Sequence, residues 1–165
     1  MREQYYNRQN AINYAKQWAY GRNPKYYNYD SLGGDCTNFI SQCIFAGSKV
    51  MNYDKQNGWY YINANNKSPS WTGVEFLYNF LCNNKSVGPY GKKCIQNNIQ
   101  IGDVVQLSFD GMSYQHSLVI VKIINTDNMN DIYTASHTFD SYERKISSYS
   151  FKSVRFIHIE GVRNW

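Results

Sequence analysis

Cys36 stands in the run Gly33-Gly34-Asp35-Cys36-Thr37-Asn38-Phe39. A thiol becomes a useful nucleophile at neutral pH only when its thiolate is favoured. Here a Gly-Gly turn precedes the cysteine and a helical pattern begins at it. The first turn of a helix carries partial positive charge, which favours the thiolate. It also leaves the Cys36 N–H without a partner inside the helix, free to donate to an oxyanion. Two glycines let the chain turn sharply and leave the sulfur open to a substrate. Cysteine is more often a buried core residue, but polar Asp35, Thr37 and Asn38 flank this one. The apolar stripe begins only at Phe39, and Cys43 sits within it and reads as core.

A thiol nucleophile needs a general base, most often histidine. The chain has three histidines. His116 opens the apolar run His116-Ser117-Leu118-Val119-Ile120-Val121, and a strand would hold its ring in place. His137, in Ala135-Ser136-His137-Thr138-Phe139-Asp140, lies near the end of the next strand. It is placed to orient the second nitrogen of His116. Asp140 is an alternative for that orienting role. His158 reads as structural, as does Gln42, which is six positions from Cys36 and on another face. The expected triad is therefore Cys36, His116 and His137, with Asp140 as the alternative orienting group.

These residues require positioning elements. Ala11, Tyr14, Ala15 and Trp18 fall at helical spacing, which predicts a helix over about 4–20. A Tyr-rich loop over 22–34 leads into a second helix, 36–46, with Asp35 as N-cap and Gly47 as its stop. Residues 48–70 read as irregular. Thr72-Gly73-Val74-Glu75 reads as a capping box opening a third helix, and 84–100 as a loop. Strands follow: 104–109, then Asp110-Gly111 as a hairpin signal, then 114–124, 132–138 and 154–160. Helices first and an antiparallel sheet second make an α+β fold.

The chain has 165 residues, enough for one domain spanning 1–165. No run of 18 apolar residues occurs, so no membrane span is expected. The opening Met1-Arg2-Glu3-Gln4-Tyr5-Tyr6 lacks the apolar run of a signal peptide. That leaves a cytoplasmic chain, another export route, or a piece of a longer exported protein. The net charge of +5 eases approach to an anionic polymer. Yet the densest basic point is only Lys92-Lys93, so nucleic acid is not an expected partner. Many Asn, Tyr, Lys and Ile residues fit an AT-rich genome as well as a glycan-binding surface. Four cysteines occur without a CxxC pair, which speaks against structural zinc. A zinc amidase would have only Cys36, His116 and His137 to converge as ligands; no metal and no cofactor is expected. Cys82 and Cys94 are either bridged in an oxidising compartment or both free.

Several segments together resemble the putative amidase-domain family of Gram-positive bacteria. They are Asn10-Ala11-Ile12-Asn13-Tyr14-Ala15 with Trp18-Ala19, Arg22-Asn23-Pro24 with Tyr26, and Gly33 through Cys43. In the same order follow Trp59-Tyr60-Tyr61, Ser70-Trp71, Gly88-Pro89, Gly102-Asp103-Val104, His116-Ser117, and His137-Thr138 with Asp140. The resemblance implies a papain-like thiol hydrolase related in plan to NlpC-type and CHAP cell-wall peptidases. It places Cys36 at a helix start, His116 at the start of a core strand and His137 as the third polar residue on the next strand, and it gives Asp35, just before the nucleophile, a role supporting the loop or the oxyanion site. It implies a peptidoglycan-type polymer as substrate, cut at a stem-peptide or sugar–peptide amide. It leaves room for a wall-binding or targeting domain outside this chain. Trp59, Tyr60, Tyr61, Trp71 and Tyr114 are candidates to line a groove for such a polymer. The competing readings are an amidase, deamidase or acyltransferase acting on protein, and an inactive binding module on the same fold.

Overall fold

The computed structural model describes residues 1–165. Its helices come mostly first: α1 (Arg8–Trp18), α2 (Cys36–Ser48), α3 (Pro69–Thr72) and α4 (Val74–Asn83). A seven-stranded sheet is built from β1 (Arg2–Gln4), β4 (Gly88–Cys94), β5 (Val104–Ser108), β6 (His116–Ile123), β7 (Ile132–Ser136), β8 (Ser141–Lys145) and β9 (Ser153–Asn164). Every pairing in it is antiparallel. The long β9 pairs with β4, β5 and β1, and the sheet continues from β5 through β6 and β7 to β8. A small ribbon of β2 (Tyr61–Asn63) and β3 (Asn66–Lys67) stands apart. The class is α+β.

Strand alternation divides the core in two. Val104, Val119, Val121 and Ala135 face the helices and pack with Ala11, Ala15, Phe39, Ile40, Cys43 and Ile44. Val105, Leu107, Leu118, Ile120 and Ile132 face the other way, onto Ile146, Tyr149 and Phe156. The sheet is thus buried on both sides.

Several local expectations are corrected. The first helix starts at Arg8, capped by the Asn7 side chain, which accepts from the Asn10 N–H at 3.0 Å; residues 2–4 form an edge strand instead. Asp35 precedes α2, but its carboxylate caps nothing there. Gly47 lies inside α2, and Lys49 in the left-handed region (φ 57°) ends the helix. Gly47 is needed for proximity: a Cβ there would lie 2.4 Å from the Tyr6 ring. The Thr72–Glu75 box does not form either. Thr72 ends α3, Gly73 precedes α4, and Glu75 reaches to Arg155 at 3.1 Å. The 84–100 segment contains β4, whose Gly-Pro-Tyr-Gly start carries no strand signal. Residues 141–145 form an unforeseen strand. Of the two readings left open for Cys82 and Cys94, the structure has the free one: all four cysteines are free thiols.

Candidate active site

Gly33 (φ 87°) and Gly34 (φ 101°) make the turn that delivers Cys36 to the first position of α2. A Cβ at Gly34 would stand 3.0 Å from Thr138 Oγ1, so two loops meet here at glycine distance. The Asp35 N–H donates to that Thr138 hydroxyl at 3.2 Å. The Cys36 N–H meets no acceptor, as befits the first residue of a helix.

Cys36 is 7% exposed, and its thiol lodges against the backbone at the start of β6. Its Sγ lies 4.0 Å from the Gln115 carbonyl oxygen and 3.7 Å from Thr37 Oγ1. Burial pushes its pKa up, while contacts from the Ser117 backbone and from Thr37 pull it back. At neutral pH the thiol therefore depends on a base to remove its proton.

His116 opens β6 beside that sulfur, but its ring is turned away. Ser117 is the strand residue that meets α2, through Thr37 Oγ1–Ser117 Oγ at 2.9 Å. Alternation then sends His116 to the opposite face. There its ring lies between Phe139 (5.7 Å), Tyr149 (5.6 Å) and Phe109 (6.3 Å). Its Nε2 is buried without a hydrogen-bond partner. Burial, and secondarily the Arg144 charge, push its pKa down to about 4, so the ring is neutral at pH 7. A neutral imidazole with an unused nitrogen is chemically fit to accept a proton. No hydrogen bond joins it to Cys36 here.

His137 occupies a different place from the expected one. Its Nδ1 pairs with Asp35 Oδ2 at 2.6 Å, and its Nε2 donates to the Trp18 carbonyl at 2.7 Å. A carbonyl can only accept, so Nε2 carries a proton. The ring stacks on Phe39 at 3.9 Å and 13°. Both nitrogens are engaged, which leaves neither to orient His116. Asp140 is likewise absent from His116's surroundings: it is gripped by Arg22 at 3.0 Å, in a cluster that includes Asp30 and, at 3.6 Å, Asp35. Asp35 is the hub: besides His137, its Oδ1 accepts from the Tyr29 N–H (2.9 Å) and from Asn38 Nδ2 (2.8 Å).

The aromatic expectation is corrected in part. Trp59 and Trp71 are fully buried and line no groove. Their indole N–H groups donate to Ser41 Oγ and Asn38 Oδ1, both at 3.0 Å, so they brace α2 from behind. Tyr61 is also buried, and its hydroxyl accepts from the Tyr27 N–H. Tyr60 is half-buried against Tyr53. Tyr114 is half-buried under the Arg155 guanidinium, which is sandwiched between it (3.9 Å) and Tyr78 (3.7 Å). His158 pairs with Asp103 at 2.8 Å and is structural.

One network escaped the sequence. From Thr37 and Ser117 a buried polar chain runs through Gln106 Nε2 (3.2 Å to Ser117 Oγ) to Arg155, whose Nη2 donates to Gln106 Oε1 at 2.6 Å. It fixes the β6 backbone on which the Cys36 sulfur rests. Only Ser117, next to His116, offered a hint, because Gln106 and Arg155 look like ordinary strand residues. No set of three or more His, Cys, Asp or Glu side chains converges to hold a metal ion.

The family model described as "putative amidase domain" matches residues 5–159. The chain belongs to this family. The amidase-family chain is also 30% identical, over 146 residues, to the uncharacterized protein YhbB of Bacillus subtilis (strain 168). That match covers 84% of this chain and 43% of YhbB, so the chain spans less than half the length of that relative. No solved structure matches it. Membership in an amidase family points to hydrolysis of amide bonds, and leaves the nucleophile and the substrate to be argued from the site.

Proposed function

We propose that this chain is a thiol-dependent amide hydrolase, with Cys36 as nucleophile, His116 as base and a peptide or sugar–peptide amide of peptidoglycan as substrate, on a papain-like plan. The observation that carries the reading is the junction of α2 with β6. A cysteine with an unpartnered N–H rests its sulfur against the peptide groups flanking the one histidine whose ring nitrogens make no hydrogen bond.

The chemistry runs from two neutral groups. Burial disfavours both thiolate and imidazolium, so the proton leaves Cys36 as the sulfur attacks the carbonyl carbon. His116 must swing from its aromatic cage toward the sulfur to take it; catalytic hydrogen bonds are often unmade before substrate arrives. The Cys36 N–H donates to the oxyanion of the tetrahedral intermediate. His116 then returns the proton to the leaving amine, giving a thioester. Water, deprotonated by the same imidazole, hydrolyses the thioester to the carboxylic acid and restores the thiol. Asp35 and His137 act as positioning residues that hold the Gly33–Cys36 turn.

The test combines substrate and base. Purified peptidoglycan incubated with the protein should yield fragments whose masses show one new amine and one new carboxyl per cut. Replacing His116 by Ala should slow this roughly 10²–10⁴-fold, the usual share of general acid–base catalysis. Absence of fragments together with activity on a protein amide would move the substrate and keep the chemistry. An undiminished rate in the His116 variant would remove the base.

A further inference from the structure

A cleft of about 660 Å³ lies between the 52–58 loop, α3, α4 and the 83–86 turn. This is within the usual size of small-molecule sites, about 300–1,000 Å³. It is separate from the Cys36 site: Trp71 of α3 faces α2 through Asn38, while Pro69 and Ser70 of the same helix face the cleft.

The lining is unusual in kind. Carboxamides dominate it, and its single acid, Asp54, is offset by its single base, Lys85. Asn52 is 8% exposed, and its Oδ1 accepts from the Asp54 N–H at 2.9 Å while its Nδ2 has no partner. The side chains of Gln56, Asn57 and Asn79 make no hydrogen bond within the protein. Beside them Phe76, 59% exposed, offers a bare aromatic ring on the cleft wall.

The loop that carries these groups is fixed in shape. Asn52 and Trp59 exchange backbone hydrogen bonds at 2.9 and 2.8 Å. Ser70 Oγ donates to the Gly58 carbonyl at 2.6 Å. Gly58 admits no side chain, since a Cβ there would lie 2.2 Å from the Asp54 carbonyl oxygen. The backbone that carries Asn52, Gln56 and Asn57 is therefore set before any ligand arrives, and Asn79 projects from α4 opposite it, which limits the entropic cost of binding to the side-chain rotors.

Free carboxamides both donate and accept, as a ring of hydroxyl or acetamido groups requires. An exposed aromatic ring packs on the C–H face of a pyranose. Charge balance gives a polyanion nothing to hold, and an apolar ligand would strand the amides. We propose that this cleft binds a neutral hexopyranose chain, at a site distinct from the Cys36 centre and independent of its chemistry.

The full chain would be titrated with N-acetylglucosamine tetrasaccharide and followed by calorimetry and by amide NMR shifts. Saturable binding is expected, with shifts confined to residues 52–58, 69–70 and 76–86. Phe76→Ala and Asn79→Ala, both at exposed positions, should each weaken it about tenfold or more while leaving the circular dichroism unchanged. Cys36→Ala should bind as the wild type does. The proposal is overturned by an absence of saturation, by affinity unchanged in both cleft variants, or by shifts centred on Cys36. Equal binding of an uncharged tetrapeptide would overturn it as well.

Discussion

Removing the Asp35 carboxylate strikes the support of the candidate site at one point. Asp35 is 1% exposed, accepts from the Tyr29 N–H and from Asn38 Nδ2, and pairs with His137 Nδ1, with Arg22 Nε 3.6 Å away. Asp35→Ala would leave the Tyr29 N–H and Asn38 Nδ2 without an acceptor and His137 Nδ1 without its partner, each at about 1–3 kcal/mol if buried. The losses overlap, because His137 keeps its bond to the Trp18 carbonyl and Arg22 keeps Asp30 and Asp140. A net loss of about 3–5 kcal/mol follows, the usual cost of deleting one partner of a buried pair. Urea denaturation reads this as a lower midpoint at unchanged slope. Thermal unfolding reads it as a fall of roughly 6–20 °C for a domain of this size. His137→Phe, which preserves the stack on Phe39, completes a double-mutant cycle. The two residues should couple by more than about 1 kcal/mol. A destabilisation under about 1 kcal/mol for Asp35→Ala, with additive effects in the double variant, would refute the role of Asp35 as hub.

Two other perturbations bear on the same region. Gly34→Ala forces a side chain into φ 101° and to 3.0 Å from Thr138 Oγ1, and should cost about 1–3 kcal/mol in urea unfolding; a neutral outcome would mean the turn is not held as described. The stability of the wild type should also fall as the pH is lowered from 7. His116 has its pKa pushed from 6.5 down to about 4 by burial, so between those values the unfolded chain binds more protons than the folded one. Stability therefore rises with pH across this window, by roughly 3 kcal/mol in total and about 2 kcal/mol between pH 5 and pH 7. His116→Gln, which does not titrate, should lose that part of the pH slope, and an identical slope in both proteins would place the histidine in water rather than in its cage.

The chain shows how far local pattern reaches. Helical spacing of Ala11, Tyr14, Ala15 and Trp18 and of Phe39, Ile40, Cys43 and Ile44 located α1 and the start of α2, because each stripe packs into the core between the helices and the sheet. Strand β4 was hidden because its Gly-Pro-Tyr-Gly start has turn chemistry; β9 supplies the partner that overrides it. Gly91 is required there because a Cβ would lie 2.3 Å from the His158 carbonyl oxygen. Sequence brought Cys36 and His116 to neighbouring elements but could not tell which way the ring points, since that depends on the parity of β6 against α2. His137 read as a partner of His116 because both are strand histidines; the pairing with Asp35 spans 102 positions and has no local trace. Trp59 and Trp71 read as a binding surface for want of any pattern that distinguishes an indole behind α2 from one in front of it.

The central claim is that amide hydrolysis proceeds through the Cys36 sulfur. It is tested most directly by comparing release of new amines from purified peptidoglycan by the wild type and by Cys36→Ala, at matched concentration and with matched urea midpoints. Release by the wild type with none above background from the variant is the predicted result. Equal release by the two proteins would contradict the account.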